Sequence, residues 1–448
     1  MMNRSLLIKR HVLSLEEARS KLLAYAIPSQ IEQVELMESV NRHLAVDVVA
    51  EHPYPHFARA GVDGYAVRTC DTLQASNDHP LVLHVVDTLL AGNDSLVRLE
   101  KGQAIRIMTG APVPDGADAV IMLEQVEVDS QVFPVQDTHT QGAYAQTDVE
   151  TDRNHALFVS TYICIKQSVS IWLNVTRVGD EIEQGQLLIE QGTRIQPGQI
   201  ALLATYGYSV VQVLKQPRVA VFATGSELQD IHEPVQFAHI RNSNSSMIAA
   251  QIQLSGGIAH DYGILPDDEE MVRSAIAAVL PDHDFVITTG GVSVGDRDVI
   301  ARLFQEKHND HLLFNKVAIR PGSPTSAAMI DSKLVIGLSG NPGACFVGFE
   351  LLVKPLMNRI LGVKWIVPHP IDARLTVPYG KSCPYVRYVR ARLTMDQGGV
   401  FVTPVGFSKS SMMVSIQEAN CLMVVPAGGR GAQQDEMLKT YSLSYDMM

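Results

Sequence analysis

Glycine-rich turns with nearby carboxylates are the segments of this chain best suited to chemistry. They occur in ATGSEL (223–228), TTGGVSVGDRD (288–298) and LSGNPG (338–343). Glycines let the backbone turn tightly and direct its N–H groups toward an anion, so Gly290, Gly291 and Gly295 predict a phosphate-binding loop. A plain strand-to-helix turn is the alternative, because glycine turns without a Walker lysine are common.

Carboxylates and cations accompany these turns. Glu227 and Asp298 follow the first and second turn, where they could bind Mg²⁺ beside a phosphate, or could simply place negative charge at a helix N-terminus. Lys316 and Arg320 lie four residues apart in FNKVAIRPGSP and face one side of an extended segment. They are either ligands of an anion or solvated surface cations.

Alternating strand and helix patterns surround the three turns. From Pro217 onward, apolar runs such as VAVFATG, FVITTGG and KLVIGLSG alternate with helical segments, which predicts a doubly wound α/β sheet. The continuous apolar run Phe285–Ile287 predicts a central strand that is buried on both faces. Because ligands bind outside the carboxyl ends of parallel strands, we expect the three loops to converge there.

The rest of the chain divides into further regions. We expect an N-terminal helical and linker region, whose first helix begins with the capping-box pattern Ser14–Glu17, an inserted β-rich domain, a linker region that packs with the N-terminal helices, the α/β domain and a C-terminal small β-barrel domain. The expected boundaries are 1–50, 51–185, 186–216, 217–367 and 368–448. Within the inserted domain, residues 128–160 have weak periodicity and predict an irregular or mobile excursion.

Composition excludes several classes of protein. A net charge of −12 and a pI near 5.7 argue against broad binding to nucleic acids or membrane surfaces. The 5 cysteines are widely spaced, which indicates neither a disulfide framework nor a structural zinc site. The first residues lack the apolar core of a signal peptide and no run suits a spanning helix, so we expect a cytoplasmic protein.

Ordered motifs along nearly the whole chain resemble those of the molybdopterin molybdenumtransferase family, the MoeA type, whose eukaryotic relative is the gephyrin E domain. The matching stretches are GVDGYAVR (61–68), RIMTGAPVPDGADAVIMLE (106–124), VGDEIEQG (178–185), PRVAVFATGSEL (217–228), IRNSNS (240–245), TTGGVSVGDRD (288–298), FNKVAIRPGSP (314–324) and GLSGNPGACFVGFE (337–350). The resemblance implies a subunit of a homodimer that inserts molybdenum from molybdate into adenylylated molybdopterin, with Mg²⁺ assisting the release of AMP. It also allows transient contact with other proteins of cofactor biosynthesis.

The resemblance implies roles for individual residues. The functional positions of the family fall on Asp63, Thr109, Glu227, Asp298, Lys316, Arg320 and Ser410. Asp63 and Thr109 could act only if the inserted domain, from the same or the partner subunit, closes over the sheet edge. Thr109 and Ser410 would donate hydrogen bonds to molybdate. From the loops, further substrate-binding residues are expected at Gly290, Gly291, Ser293, Gly295, Gly340 and Asn341.

The chain departs from the pattern of the family at several positions. Ala60 and Val62 precede DGYA where serine and methionine are frequent, Ser226 replaces an aspartate, Arg320 a lysine and Ser339 a proline. Arginine and lysine are not equivalent at an oxyanion site. Two other functions remain open at this point: molybdopterin adenylylation, which would leave the β-rich domain unexplained, and pterin binding or scaffolding without turnover.

Overall fold

The computed structural model describes residues 12–93, 96–134, 157–292, 299–304, 312–406 and 411–443. The chain divides into two units, one formed by Met1–Asp47 with Ile189–Met448 and the other by Val48–Leu188. The three glycine-rich loops belong to the first unit, whereas Asp63 and Thr109 belong to the second.

The first unit begins with helix α1 (Leu15–Leu23), which is followed by strand β1 (Ile31–Glu35). The predicted capping box is confirmed, since the Glu17 N–H donates to Ser14 Oγ at 3.2 Å and the Ser14 N–H donates to Glu17 Oε2 at 2.8 Å. The buried face of α1, formed by Leu15, Ala18 and Leu22, packs into the core of the α/β domain. This helix therefore packs on the α/β domain, whereas the expected packing of residues 186–216 occurs with the second N-terminal helix, the 3₁₀ helix Leu36–Ser39, which α3 (Pro197–Thr205) and β12 (Val210–Leu214) contact.

The second unit is built around a six-stranded sheet. Its elements are β2 (Val48–Val49), β3 (Arg59–Ala60), β4 (Gly64–Val67), α2 (Thr69–Thr72), β5 (Leu81–Leu89), β6 (Gln103–Ile107), β7 (Ala119–Met122), β8 (Glu127–Pro134), β9 (Leu157–Ile165), β10 (Val175–Thr176) and β11 (Leu187–Ile189). The order of strands is β7-β4-β6-β5-β9-β8. Gly64 pairs with Ile107 in the register of β4 and β6, which brings the start of one strand beside the end of the other.

Part of the expected excursion at residues 128–160 is regular structure. Strands β8 and β9 pair in antiparallel fashion from Glu127 opposite Cys164 to Pro134 opposite Leu157, and β9 also pairs with β5. The expectation of an irregular segment is therefore wrong for the ends of this stretch. Both strands gain ladder hydrogen bonds from neighbours distant in sequence, a contribution that local periodicity does not reveal. Residues 135–156 lie outside the described residues.

After the second unit, the chain returns to the first with α3 (Pro197–Thr205) and β12 (Val210–Leu214). β12 pairs in antiparallel fashion with β1, with Ile31 opposite Leu214 and Glu35 opposite Val210. This two-stranded ladder joins the N-terminal segment to the segment that follows the second unit.

A doubly wound sheet forms the centre of the first unit. Its elements are β13 (Arg218–Thr224), β14 (Leu228–Gln229), β15 (Ile240–Arg241), α4 (Ser243–Leu254), β16 (Ile258–Leu265), α5 (Glu269–Val279), β17 (Phe285–Thr289), α6 (Val299–Leu303), β18 (Leu312–Phe314), β19 (Ile319–Arg320), β20 (Ser326–Ile330), β21 (Lys333–Leu338), α7 (Pro342–Gly348), the π-helical segment Phe349–Val353 and α8 (Lys354–Ile360). The main sheet has the order β16-β13-β17-β21-β20-β18, with the first four strands parallel. All five residues of β17 are buried, so the predicted central strand is confirmed.

The segment that follows β18 differs from the single strand predicted for LLFNKVAI. The strand stops at Phe314, and Ile319–Arg320 form β19, which pairs with the C-terminal domain. The sheet instead continues through β20, a strand that we did not predict from SAAMI.

The C-terminal strands close into a five-stranded barrel, which confirms the expected small β-barrel. Its elements are β22 (Ile371–Leu375), β23 (Val386–Asp396), β24 (Gly399–Pro404), α9 (Val414–Glu418), β25 (Cys421–Val425) and β26 (Met437–Ser442). The strands pair in the order β23-β24-β22-β26-β25, and β25 pairs back with β23. Arg390 of β23 packs directly on α7, since a Cβ atom on Gly343 would lie only 1.8 Å from its Nη1.

Candidate active site

The carboxyl ends of three parallel strands lie level with each other at one edge of the main sheet. Ala223 of β13 pairs with Thr289 of β17, which pairs with Leu338 of β21. The three glycine-rich loops leave the sheet at these positions, and the structure brings them together around one cavity. The volume of this loop cavity is about 720 Å³, within the roughly 300–1,000 Å³ of small-molecule sites.

Close approach of the backbone explains the glycines after β17. A Cβ atom on Gly290 would lie 2.3 Å from the Thr224 carbonyl oxygen, and one on Gly291 would lie 2.8 Å from Thr224 Oγ1. Both glycines also have positive φ, 91° and 63°. The Gly290 N–H donates to the Leu338 carbonyl at 3.0 Å, so it binds the neighbouring loop. We expected this N–H group to face a phosphate, and in this respect the expectation is wrong.

Glu227 lies in the first loop and lines the cavity. Its carboxylate folds back over Gly225, with both oxygens 2.8 Å from the position that a Cβ atom would take there. Its backbone is fixed by the pairing of β14 with β15, in which the Ile240 N–H donates to the Glu227 carbonyl at 2.9 Å. The side chain is exposed, and no described residue forms an ion pair with it.

Asp267 is a second carboxylate of the cavity, which we did not predict from the sequence. It follows β16, the parallel strand beside β13, and its Oδ2 accepts a hydrogen bond from the Ser226 N–H at 3.3 Å. The next residue, Asp268, has a different role, because it caps α5 by accepting from the Met271 N–H at 2.9 Å. The pair of acids directly after a strand in GILPDDEE was the signal that could have revealed Asp267.

The IRNSNS stretch supplies the next part of the wall. Arg241 is the only cation among the described residues that line the cavity, and its Nη2 donates to the Glu233 carbonyl at 3.1 Å. Asn244 is buried and its Nδ2 donates to the Gly340 carbonyl at 2.9 Å. This stretch is one of the motifs that resemble the family, but we assigned it no role from the sequence.

Several buried polar atoms around the cavity have no hydrogen-bond partner among the described residues. They are Asn244 Oδ1, Thr224 Oγ1 and Thr289 Oγ1. A buried polar group without a partner costs about 1–3 kcal/mol, and native proteins keep few of them. These atoms therefore fit a wall that binds a polar ligand.

The third loop contributes Gly340 and Asn341, which both line the cavity. Asn341 precedes Pro342, the first residue of α7, and its carbonyl accepts from the Cys345 N–H at 2.9 Å. Its side chain makes no capping hydrogen bond and remains on the cavity wall.

Lys316 and Arg320 occupy other positions. Lys316 is half-buried with its Nζ 5.7 Å from the centre of the Tyr385 ring, and Arg320 is exposed in β19. Neither is among the described residues that line the loop cavity. The irregular segment between β18 and β19 removes the period-two alternation that placed them on one face.

Asp63 and Thr109 lie together in the second unit. The Thr109 N–H and hydroxyl both donate to Asp63 Oδ1 at 2.7 Å. These two bonds, the side-chain bond first, lower the pKa of the Asp63 carboxyl, and Arg106 adds to the effect. We expected Thr109 to donate to molybdate, whereas both of its donors bind Asp63 here.

Four predicted residues, Ser293, Gly295, Asp298 and Ser410, lie outside the described residues. Within the described ranges, no cluster of three or more His, Cys, Asp and Glu side chains is arranged to hold a metal ion. The same part of the chain contains no helix that is both long and apolar enough to cross a membrane.

Three family models match the chain in succession. The MoeA N-terminal region (domain I and II) matches residues 13–207, the probable molybdopterin binding domain residues 220–359, and the MoeA C-terminal region (domain IV) residues 372–441.

Curated relatives and solved structures agree with these models. The chain is 39% identical over 431 residues to a Bacillus subtilis protein named molybdopterin molybdenumtransferase, covering 95% of this chain and 93% of the relative. A Staphylococcus aureus protein of the same name is 38% identical over 423 residues, covering 94% of each chain. The crystal structure of the molybdopterin biosynthesis moeA protein from Pyrococcus horikoshii OT3 matches with a TM-score of 0.77 at 27% identity, covering 96% of this chain and 100% of that one.

Proposed function

The chain belongs to the MoeA family of molybdopterin molybdenumtransferases, and from this premise we propose that it transfers molybdenum from molybdate to adenylylated molybdopterin with release of AMP. It is thus a transferase of molybdenum cofactor biosynthesis. The observation that carries the proposal is the loop cavity, where Glu227, Asp267 and the glycine-rich loops meet at the carboxyl edge of the sheet. A pterin nucleotide is an anion of suitable size for such a site.

The residues around the cavity have distinct roles in this proposal. The loops at Gly291, Ser293, Gly295, Gly340 and Asn341 form the cradle for the pterin nucleotide, and Gly290, whose N–H binds Leu338, lines it without donating to the ligand. Arg241 adds positive charge on the wall, and Asn244, Thr224 and Thr289 contribute the buried polar atoms that lack partners. Lys316 and Arg320 are still proposed to bind anionic groups, although neither is among the described residues that line the cavity.

The donor set of the cavity fits Mg²⁺. This ion is usually held by one or two carboxylates together with substrate phosphates and waters, so the lack of a three-carboxylate cluster among the described residues does not conflict with it. Glu227 and Asp298 are the proposed ligands, and Asp267 on the same wall is a third candidate. Bound there, Mg²⁺ would offset the charge of the phosphates and of the leaving AMP.

Thr109, Ser410 and Asp63 are proposed to act on molybdate. Asp63 holds Thr109 by two hydrogen bonds, which fixes the position of the hydroxyl. Donation from this hydroxyl to an oxyanion requires it to turn away from Asp63.

The arrangement of subunits and the cellular location are part of the proposal as well. We propose a homodimer in the cytoplasm that contacts other proteins of cofactor biosynthesis transiently. Size-exclusion chromatography with light scattering tests the dimer. A monomer at micromolar concentration would contradict it.

A turnover assay tests the central proposal. Purified protein, adenylylated molybdopterin, molybdate and Mg²⁺ are expected to yield AMP and molybdenum-loaded pterin, and EDTA should abolish both products. AMP formation at an equal rate with EDTA would exclude the role of the metal. Consumption of ATP and molybdopterin would instead indicate adenylylation, and tight pterin binding without any product would indicate a scaffolding protein.

A further inference from the structure

A second cavity lies in the first unit and shares no lining residue with the loop cavity. Its volume is about 220 Å³. The walls are formed by the segment 190–199, the end of α4, buried side chains of α8, the residues that follow α8, and His43. The reaction proposed above gives no role to this rear cavity.

Positive charge dominates the lining. Arg194, Lys354 and Lys364 are set against a single lining acid, Glu190. Lys364 Nζ lies 2.9 Å from Glu190 Oε2, and Lys354 Nζ lies 3.3 Å from Oε2 of Glu350 behind the wall. Cations thus outnumber acids among the lining residues, in a chain with a net charge of −12, and this favours an anionic ligand.

The N-terminus of α3 strengthens this preference. Its capping residue Gln196 and Gln199 of its first turn both line the cavity. The first N–H groups of a helix carry partial positive charge, which favours an anion near them.

A buried hydroxyl gives a second and independent indication of a ligand. Ser255 lines the cavity with a relative exposure of 6%, and its Oγ has no hydrogen-bond partner among the described residues. The carbonyls at the end of α4 are already used, because the N–H groups of Ser255, Gly256 and Gly257 bind them. The Ser255 hydroxyl has no partner among the described residues, and because an unpaired buried hydroxyl is unfavourable, a hydrogen bond to a ligand would stabilise it.

The size and the rim of the cavity suit a ligand with a ring. A cavity of about 150 Å³ is known to hold benzene, so the rear cavity has room for a ring with one charged substituent. Trp365 lines it with a relative exposure of 52% and offers an aromatic surface. We propose that the rear cavity binds a small organic anion, a flat ring that carries a carboxylate or a phosphate, with the oxyanion toward Arg194 and Ser255.

Tryptophan fluorescence provides a direct test, because the chain has only 2 tryptophans. Trp172, in the other unit, is replaced by phenylalanine so that Trp365 alone reports. Titration of the full-length Trp172→Phe protein with p-nitrobenzoate, a quencher, should give saturable quenching. The neutral isostere p-nitrobenzamide should give only the weak linear quenching of free collision.

Charge variants locate the binding. Arg194→Gln should raise the half-saturation concentration of p-nitrobenzoate at least about tenfold, as expected for loss of a charge-assisted hydrogen bond. Arg374→Gln, at an exposed position of β22 outside the lining, is the matched control and should leave it unchanged. Glu190→Gln should tighten binding several-fold, a gain that damage to the fold cannot mimic. Melting temperatures identify a variant that fails to fold.

Inorganic phosphate distinguishes the two sources of the oxyanion. If phosphate displaces p-nitrobenzoate, the site accepts a phosphate group; if it does not while p-nitrobenzoate binds saturably, the natural ligand carries a carboxylate. The proposal is overturned if acid and amide quench alike, or if Arg194→Gln and Glu190→Gln both bind p-nitrobenzoate as the parent does.

Discussion

Asp267 and Asp268 are neighbours in the chain with different surroundings, so they form a natural pair for comparison. Asp267 lines the loop cavity, whereas Asp268 caps α5 through the Met271 N–H. We expect Asp267→Asn to reduce turnover by at least about tenfold, or roughly 1.4 kcal/mol, with little change in melting temperature. Asn retains the oxygen that accepts from the Ser226 N–H, so the loop should keep its shape.

The matched variant is Asp268→Ala, for which the expectation is reversed. Loss of a cap costs about 1 kcal/mol of folding stability and should leave turnover close to that of the parent. Thermal unfolding and AMP release are measured on both proteins. If Asp267→Asn unfolds early and retains full activity, its carboxylate has a structural role only.

Glu227 tests the role of the first loop. Its carboxylate faces the cavity without an ion pair to a described residue, so Glu227→Gln removes charge and little packing. We expect a fall in turnover of about a hundredfold, or roughly 2.7 kcal/mol, because the proposed Mg²⁺, which would offset charge on the leaving phosphate, would lose a ligand. The control Glu233→Gln changes an exposed acid between β14 and β15 and should remain active. Equal activity of both variants would remove Glu227 from the site.

At the scale of elements, the loop after β17 requires glycine, because the neighbouring backbone leaves no room for a side chain. Gly290→Ala would place a Cβ atom 2.3 Å from the Thr224 carbonyl while φ is 91°. Backbone strain and overpacking together should cost about 2–4 kcal/mol of folding stability and should disturb the cavity wall.

A second glycine separates these two causes. Gly207, after α3, also has positive φ, 78°, and a Cβ atom there meets no atom within 4 Å. Gly207→Ala should therefore cost only the left-handed strain, about 1–2 kcal/mol. Urea unfolding of both variants measures the difference, and equal losses would mean that the contact with Thr224 relaxes freely.

At the scale of the whole molecule, the sequence was most informative where local patterns coincide with general rules of folds. The apolar run of β17 and the glycines after three strands predict where the loop cavity lies, because the carboxyl ends of parallel strands meet at one edge of the sheet. The sequence does not distinguish Asp267 from a helix cap, because both are acids that follow a strand, and only Asp268 is a cap. The positions of Lys316 and Arg320 depend on where β18 stops and on the pairing of β19 with the barrel, which is tertiary information.

The stability of the first unit should depend on pH through His43. This residue is buried where the N-terminal segment meets the segment 193–195, and its backbone forms an isolated antiparallel β-bridge with that of Arg194. Burial, with Arg194 and Arg42 adding to it, lowers the pKa of His43 from 6.5 to about 4. The native protein therefore keeps this ring neutral in a range of pH in which the unfolded chain would protonate it.

The sign of the effect follows from the numbers of bound protons. Between pH 6.5 and about 4 the unfolded chain binds a proton at His43 that the native protein does not bind, so stability falls as the pH falls through this window. At about 1.4 kcal/mol for each pKa unit, the loss approaches roughly 3 kcal/mol near pH 4. His43→Gln should lack this component, so its stability should fall less steeply than that of the parent. Urea unfolding at several pH values measures both slopes.

His260→Gln is the control. The pKa of His260 is also lowered, chiefly by burial, but His260 lies in β16. Its variant should therefore keep the steep component that belongs to His43. Parallel pH profiles for His43→Gln and the parent would show that His43 titrates alike in the folded and unfolded chains.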